Sequence, residues 1–165
     1  MIMRTLVVYA SKNGYSRECA QQIANNLGDG SMAVDCKKEV KKVDLADYTA
    51  VVLGGGVHMG KLPGYLRRYC AKNASDLQSK KIGLFLCCNE TDPAGHQKYF
   101  ENNFPTEMVK QAQVKGWFGG RVILAEHDVI TRAILKKING NGNDFRGERP
   151  ESVQAFIDDF KKMGN

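Results

Sequence analysis

The sequence predicts an α/β domain: a doubly wound parallel sheet of five strands in the order 2-1-3-4-5, with an insert between the last strand and the last helix. Three observations lead there. Short apolar, β-branched runs recur along the chain. Each is followed by a stretch whose apolar residues keep helical spacing, and Gly- or Ser-bearing turns separate the two kinds of segment. With 165 residues, the chain fits a single domain, 1–165, large enough to bury a substantial core.

Met3–Tyr9 shows too little alternation for a half-exposed strand and reads as one buried on both faces. Ser16–Leu27 carries Cys19, Ala20, Ile23, Ala24 and Leu27 at helical spacing and stops at Gly28. Ala33–Cys36 is a shorter, more polar strand suited to a sheet edge. After a turn at Asp44–Asp47, Ala50–Leu53 forms a third buried strand and runs into Gly54-Gly55-Gly56. Pro63 opens a helix that reaches about Lys72, because an early helical position does not need the missing N–H. Ile82–Cys87 is a fourth buried strand. The polar segment from Asn89 to Lys115 holds short helices around Gln97–Asn102 and Thr106–Gln111. Val114–Ile123 is a fifth strand region, interrupted by Gly116, Gly119 and Gly120. His127–Ile138 has helical spacing, Asn139–Asn143 is a Gly/Asn turn, and Pro150–Met163 is a closing amphipathic helix.

Composition excludes several function classes. The chain is 42% hydrophobic and 25% charged, which is ordinary for a globular protein. Its net charge of +6 is spread over scattered pairs such as Lys37-Lys38, Arg67-Arg68 and Lys161-Lys162. Without a concentrated patch or a known module, nucleic acid is not an expected partner. The five cysteines include no CxxC and no zinc-finger spacing with the histidines, so no metal site is expected. They read as reduced, mostly buried thiols, and the adjacent Cys87-Cys88 would pair only with strained geometry. No apolar run approaches the roughly 20 residues that span a bilayer, and the N-terminus lacks the pattern of a secretory signal. The expected compartment is the cytoplasm.

In a sheet of this kind ligands bind beyond the carboxyl ends of the strands, where strand order reverses. Three loops lie there. The first is Ser11-Lys12-Asn13-Gly14-Tyr15-Ser16, which joins a buried strand to a helix start. A helix start presents unpaired N–H groups and a positive dipole end, Ser11, Asn13 and Ser16 add donors, and Gly14 lets the chain curl round a phosphate. Ser16 is also the candidate N-cap. Two readings of this loop stand, an ordinary βα turn and an anion site. A P-loop and a dinucleotide fingerprint are both absent, and the ends of the first and third strands lack the acidic residues of a phosphorylated receiver. A compact hydroxyl-rich loop suits one terminal phosphate. The second loop, Gly54–Lys61, offers close backbone approach at Gly55 and Gly56, then Val57, His58, Met59 and Gly60 as walls for a flat ligand. The third, with Cys88, Asn89 and Glu90, offers backbone N–H groups to a ring edge.

Together these loops resemble the flavodoxin superfamily, with Asn13 in place of the middle hydroxyl of its phosphate loop. A closer resemblance is to the flavodoxin-domain subgroup that includes menaquinone-dependent protoporphyrinogen IX dehydrogenase. It rests on Thr5–Ser11, Val51–Gly60 and the region from Phe118 onward, where a basic helix and Gly142-Asn143-Asp144-Phe145-Arg146 precede the final helix. His58-Met59 departs from the Arg-Tyr type of pair that the dehydrogenase carries beside its flavin. The resemblance implies non-covalent FMN as cofactor, with the residues of the three loops around it and no catalytic residue beyond the flavin. It implies either an oxidoreductase acting on a porphyrinogen-like molecule with a quinone-type acceptor, or an electron carrier docking on a redox partner protein. In the insert, Val129, Ile130, Ala133, Ile134 and Ile138 share one face of the helix, with Arg132, Lys136 and Lys137 beside it. Core packing is the simpler account of that stripe. The functional account is contact with an anionic substrate or with the inner face of a membrane.

Overall fold

In the computed structural model, which describes residues 3–12, 14–124, 128–139 and 144–164, a parallel sheet of five strands has the order β2-β1-β3-β4-β5. The strands are β1 (Thr5–Ala10), β2 (Met32–Asp35), β3 (Ala50–Gly56), β4 (Lys81–Cys87) and β5 (Val114–Trp117). The helices are α1 (Tyr15–Asn26), α2 (Gly64–Lys72), α3 (Ala74–Leu77), α4 (Pro93–Asn103), α5 (Thr106–Gln111), α6 (Val129–Asn139) and α7 (Pro150–Lys162). β6 (Gly119–Val122) and β7 (Phe145–Glu148) make a separate antiparallel pair.

Alternation along the strands divides the core in two. Leu6, Val8, Val51, Leu53, Ile82, Leu84 and Leu86 face α2, α4 and α5. Val7, Tyr9, Ala50, Val52, Phe85 and Cys87 face α1 and α7, whose Ile23, Phe156, Ile157 and Phe160 are buried against them. Because β1, β3 and β4 are covered on both faces, their sequences are continuously apolar. On the α1/α7 face an aromatic ladder runs from Phe85 through Phe118 to Phe156 and Phe160, with centroids 5.1, 5.5 and 5.9 Å apart.

The structure departs from the sequence expectation in three places. The fifth strand region is two elements: Val114–Trp117 joins the sheet, while Gly119–Val122 turns away to pair with Phe145–Glu148. Gly119, at φ +72°, makes the break. The helix expected around Gln97 begins at Pro93, where Asp92 accepts a hydrogen bond from the Ala94 N–H at 3.0 Å as N-cap. Lastly, the described part of the apolar stripe of α6 is not packed into the core, and Ile138 lies outside the described side chains. Val129, Ile130 and Ile134 are 71%, 75% and 54% exposed. α6 is the loop of the β6–β7 hairpin, held at its base by the Leu124 N–H donating to Asp144 Oδ1 at 2.7 Å. His127 and the turn residues 140–143 lie outside the described residues.

Candidate functional site

Beyond the carboxyl ends of β1, β3 and β4, where the strand order reverses, a cavity of about 210 Å³ is open to solvent. All three loops read from the sequence reach it.

From the first loop, Tyr15 and Ser16 line the cavity. Ser11 shapes the turn, its Oγ accepting from the Gly14 N–H at 3.0 Å. The expected N-cap is corrected. Gly14, at φ +87°, is the cap of α1, no side chain caps the helix, and Ser16 lies buried inside the first turn. A residue with helical φ/ψ in the first turn cannot turn its hydroxyl back onto the N–H groups that a preceding cap would satisfy. Ser11, Lys12 and Gly14 precede the cavity wall, with Lys12 exposed; Asn13 lies outside the described residues.

From the second loop, Gly56, Val57, His58, Met59 and Gly60 line the cavity. Gly55 instead packs inside the sheet, where a Cβ would meet Ala10 O at 2.5 Å. Gly56 faces the opening. A Cβ there would sit 3.3 Å from His58 Nε2 and 3.7 Å from Ser16 Oγ, filling the floor of the slot. His58 and Lys61 bracket a tight turn, with hydrogen bonds of 2.9 and 3.1 Å between their backbones. Met59 and Gly60 form its tip at φ +52° and +78°. The left-handed region is costly for a methionine, and such strain collects where a side chain is held for use. The Met59 side chain is 91% exposed at the mouth of the cavity. Asn103, buried on α4, fixes this turn from below. Its Oδ1 accepts from the Leu62 N–H at 2.8 Å, and its Nδ2 donates to Gly60 O at 3.0 Å and Tyr99 O at 2.8 Å. The Val57 N–H donates to Cys87 O at 2.9 Å.

From the third loop, Cys88, Asn89 and Glu90 line the cavity. The Cys88 N–H is taken by Gly119 O at 2.9 Å, and the Trp117 indole donates to Cys88 O at 3.0 Å. This loop is therefore welded to the start of the insert.

The lining also includes Cys87, which begins the third loop, and residues that the sequence did not place at the site: Tyr99, Gly120, Arg121 and Val122. Tyr99 lies on α4, within the helix the sequence suggested around Gln97–Asn102. Arg121 reaches it through the β6–β7 hairpin. Its guanidinium forms a bidentate pair with Glu18, 2.8 Å on each side, and lies 5.4 Å from the centre of the Tyr15 ring. Nothing in the sequence pairs residues 18 and 121. The Tyr15 hydroxyl donates to Phe118 O at 2.7 Å and accepts from the Arg149 N–H at 3.3 Å, which ties α1 to both ends of the insert.

Burial sets the ionisation of the polar groups here. It pushes the Tyr15 hydroxyl and the Cys87 and Cys88 thiols up. The Cys19 thiol goes the other way, lowered chiefly by its buried neighbour Cys87. Arg132, Lys136 and Lys137 of the insert helix lie outside the cavity wall, the two lysines exposed and Arg132 half-buried. Among the described residues no group of three or more His, Cys, Asp or Glu side chains is placed to hold a metal ion, and no helix is long and apolar enough to cross a membrane.

A planar ligand with one terminal anion fits what is present. The glycine floor admits it, Met59 and Tyr99 offer apolar walls, and the first turn of α1, with Tyr15 and Ser16, is in the wall where its N–H groups suit an anion. The sequence matches the Flavodoxin domain family over residues 6–146. No curated protein sequence matches the chain. Among solved structures, similarity extends to a flavodoxin from Streptococcus pneumoniae at 16% identity and TM-score 0.58, covering 96% of this chain and 98% of that one. A Fusobacterium nucleatum flavodoxin bound to flavin mononucleotide is 15% identical with TM-score 0.57, over 98% and 99% of the two chains. A flavodiiron core from Synechocystis is 17% identical with TM-score 0.50; the match covers 73% of this chain, which spans only 30% of that one.

Proposed function

The chain belongs to the Flavodoxin domain family, and from that premise we propose that it holds FMN without a covalent link and works as an FMN-dependent oxidoreductase. The observation that carries the reading is the convergence of three loops on one glycine-floored cavity at the strand-order reversal. The first-turn N–H groups of α1, with Ser16, would hold the phosphate. Met59 and Tyr99 would flank the ring system, with Asn89 and Glu90 completing the wall. The bound FMN supplies one- and two-electron chemistry, and the protein tunes it.

The substrate class is a porphyrinogen-like molecule, with a quinone-type acceptor. Support comes from the insert: one end of it walls the cavity, and its loop is a helix with an exposed apolar stripe beside Arg132, Lys136 and Lys137. Such a helix suits the headgroup layer of an anionic membrane, where a quinone would be met, and supports a peripheral position at the cytoplasmic face as part of this reading. The test is to reduce the FMN-loaded protein anaerobically and offer quinone, then to offer porphyrinogen to the oxidised form. Turnover of both by the chain alone supports the enzyme. Neutralising Arg132, Lys136 and Lys137 together should lower turnover and spare FMN binding, with the effect shrinking as salt screens charges over about 10 Å at 0.1 M.

A second reading, an electron carrier docking on a redox partner protein, is favoured by the near full-length likeness to flavodoxins. Full activity in the neutralised variant, or no turnover of either small molecule, would put the carrier first.

A further inference from the structure

Among the described residues that line the cavity, Arg121 alone is an arginine or lysine, and Glu90 alone is a carboxylate. Arg121 belongs to the insert. It stands on β6, in register with Arg146 of β7. The hairpin is pressed against the third loop, so closely that a Cβ on Gly120 would meet Asn89 Oδ1 at 2.7 Å. From that position the Arg121 side chain turns towards α1. Its Nη1 and Nη2 donate to Glu18 Oε2 and Oε1, both at 2.8 Å, and its Cζ lies 5.4 Å from the centre of the Tyr15 ring. The Tyr15 ring is itself fixed, because its hydroxyl is bonded to Phe118 O and to the Arg149 N–H. Two charge-assisted bonds and an aromatic shelf therefore set the direction of the guanidinium. The Arg121 side chain is 17% exposed and that of Glu18 is 58% exposed, so the glutamate is the outer partner and the arginine the inner one. Tyr15 opens α1 and Glu18 lies in its first turn, the turn that walls the cavity through Tyr15 and Ser16.

We propose that Arg121 determines the specificity of this cavity for a phosphorylated flavin: it supplies the positive charge opposite the terminal phosphate, and Glu18 is the positioning residue that aims it. The inference rests on the FMN reading above and goes beyond it by giving the insert a part in holding the cofactor. A phosphate monoester carries about −1.5 to −2 charges at neutral pH. The Ser16 hydroxyl and the first-turn N–H groups of α1 offer hydrogen bonds and a helix dipole, but no full charge. A guanidinium adds that charge in a planar fork that matches phosphate oxygens, and burial beside the helix shields it from salt and water. Glu18 takes two of the five N–H donors that a guanidinium carries. An exposed ion pair is worth only about 0–1 kcal/mol to the fold, so the work of this pair is orientation. Riboflavin has no phosphate and therefore no use for the arginine.

The test is a fluorescence titration of flavin-free protein with FMN and, separately, with riboflavin. In Arg121→Gln, FMN affinity should fall about 10–100-fold and riboflavin affinity should hold. Arg121→Lys keeps a charge but not the fork, so its FMN affinity should lie between those of the wild type and Arg121→Gln. Added salt should weaken FMN binding to the wild type more than to Arg121→Gln. Equal losses for the two flavins in Arg121→Gln would make the arginine only a brace between the hairpin and α1, and would overturn the proposal. Unchanged FMN affinity in that variant would overturn it too. If Arg121→Gln does not fold, the same comparison in Arg121→Lys decides. If neither folds, side-chain NMR of the wild type decides: the Arg121 signal should shift with FMN and not with riboflavin, and equal shifts overturn the proposal. If FMN does not bind the wild type, the FMN reading falls and the role of Arg121 with it. If FMN binds and Arg121→Gln is indifferent, only the role of Arg121 falls.

Discussion

Replacing Asn103 by alanine tests whether the cavity wall is held from below. The side chain makes three hydrogen bonds of 2.8–3.0 Å, two of them to the segment that follows Met59. Alanine leaves the Leu62 N–H and the Gly60 carbonyl without these partners. A buried polar group left unsatisfied costs about 1–3 kcal/mol. The Gly60 carbonyl sits nearer solvent and recovers part of its share, so a loss of about 2 kcal/mol is expected. For a domain of this size each kcal/mol lowers Tm by about 2–4 °C, so the melt should drop by about 4–8 °C. The turn carrying Met59 loosens at the same time, and FMN affinity should fall by about tenfold, equivalent to about 1.4 kcal/mol. The assays are thermal denaturation without flavin and fluorescence titration with FMN. An Asn103→Asp variant retains the acceptor for Leu62 but turns a carboxylate oxygen towards two carbonyls, so it should be no more stable than the alanine variant. An unchanged Tm in Asn103→Ala would refute the anchoring argument.

Further predictions concern the same wall. Tyr15→Phe removes the 2.7 Å bond to Phe118 O and should cost about 1 kcal/mol. The folded-state pKa of Tyr15 is raised by burial, so the stability it confers is fully present below the ordinary tyrosine value of about 10 and is lost as pH rises further. Urea melts across that alkaline range should show a smaller pH slope in Tyr15→Phe than in the wild type; equal slopes would contradict the assignment. Met59→Gly should relieve the left-handed strain and stabilise the flavin-free protein by about 1 kcal/mol. It should also weaken FMN binding, because the exposed thioether is gone; tighter binding would remove Met59 from the ring face. Ser16→Ala should weaken FMN by about 10–100-fold, from a charge-assisted bond of about 1.5–3 kcal/mol, and leave riboflavin almost unaffected. Equal losses for both ligands would place the phosphate elsewhere.

The central sheet was legible because each parallel strand is buried on both faces and so appears as a continuous apolar run. The ends of β1, β3 and β4 then located the cavity through the crossover rule. What the sequence concealed is long-range. Gly116, Gly119 and Gly120 blur one strand region, and only the pairing with Phe145–Glu148 shows that it is two elements. Asp92-Pro93 is a recognisable helix start, and reading it as a loop hid the beginning of α4. Arg121 enters the site through a partner far along the chain, Glu18, and no local pattern pairs them. On α6 the periodicity identified a helix correctly, but a one-sided apolar stripe does not say whether a core, a membrane or a substrate covers it.

The central claim is that this cavity holds FMN. The direct measurement is a fluorescence titration of flavin-free wild-type protein with FMN, followed by denaturation. The account predicts saturable quenching at one FMN per chain, with all the flavin released unmodified on unfolding. A titration with no saturable change, or flavin that remains attached to the unfolded chain, would contradict it.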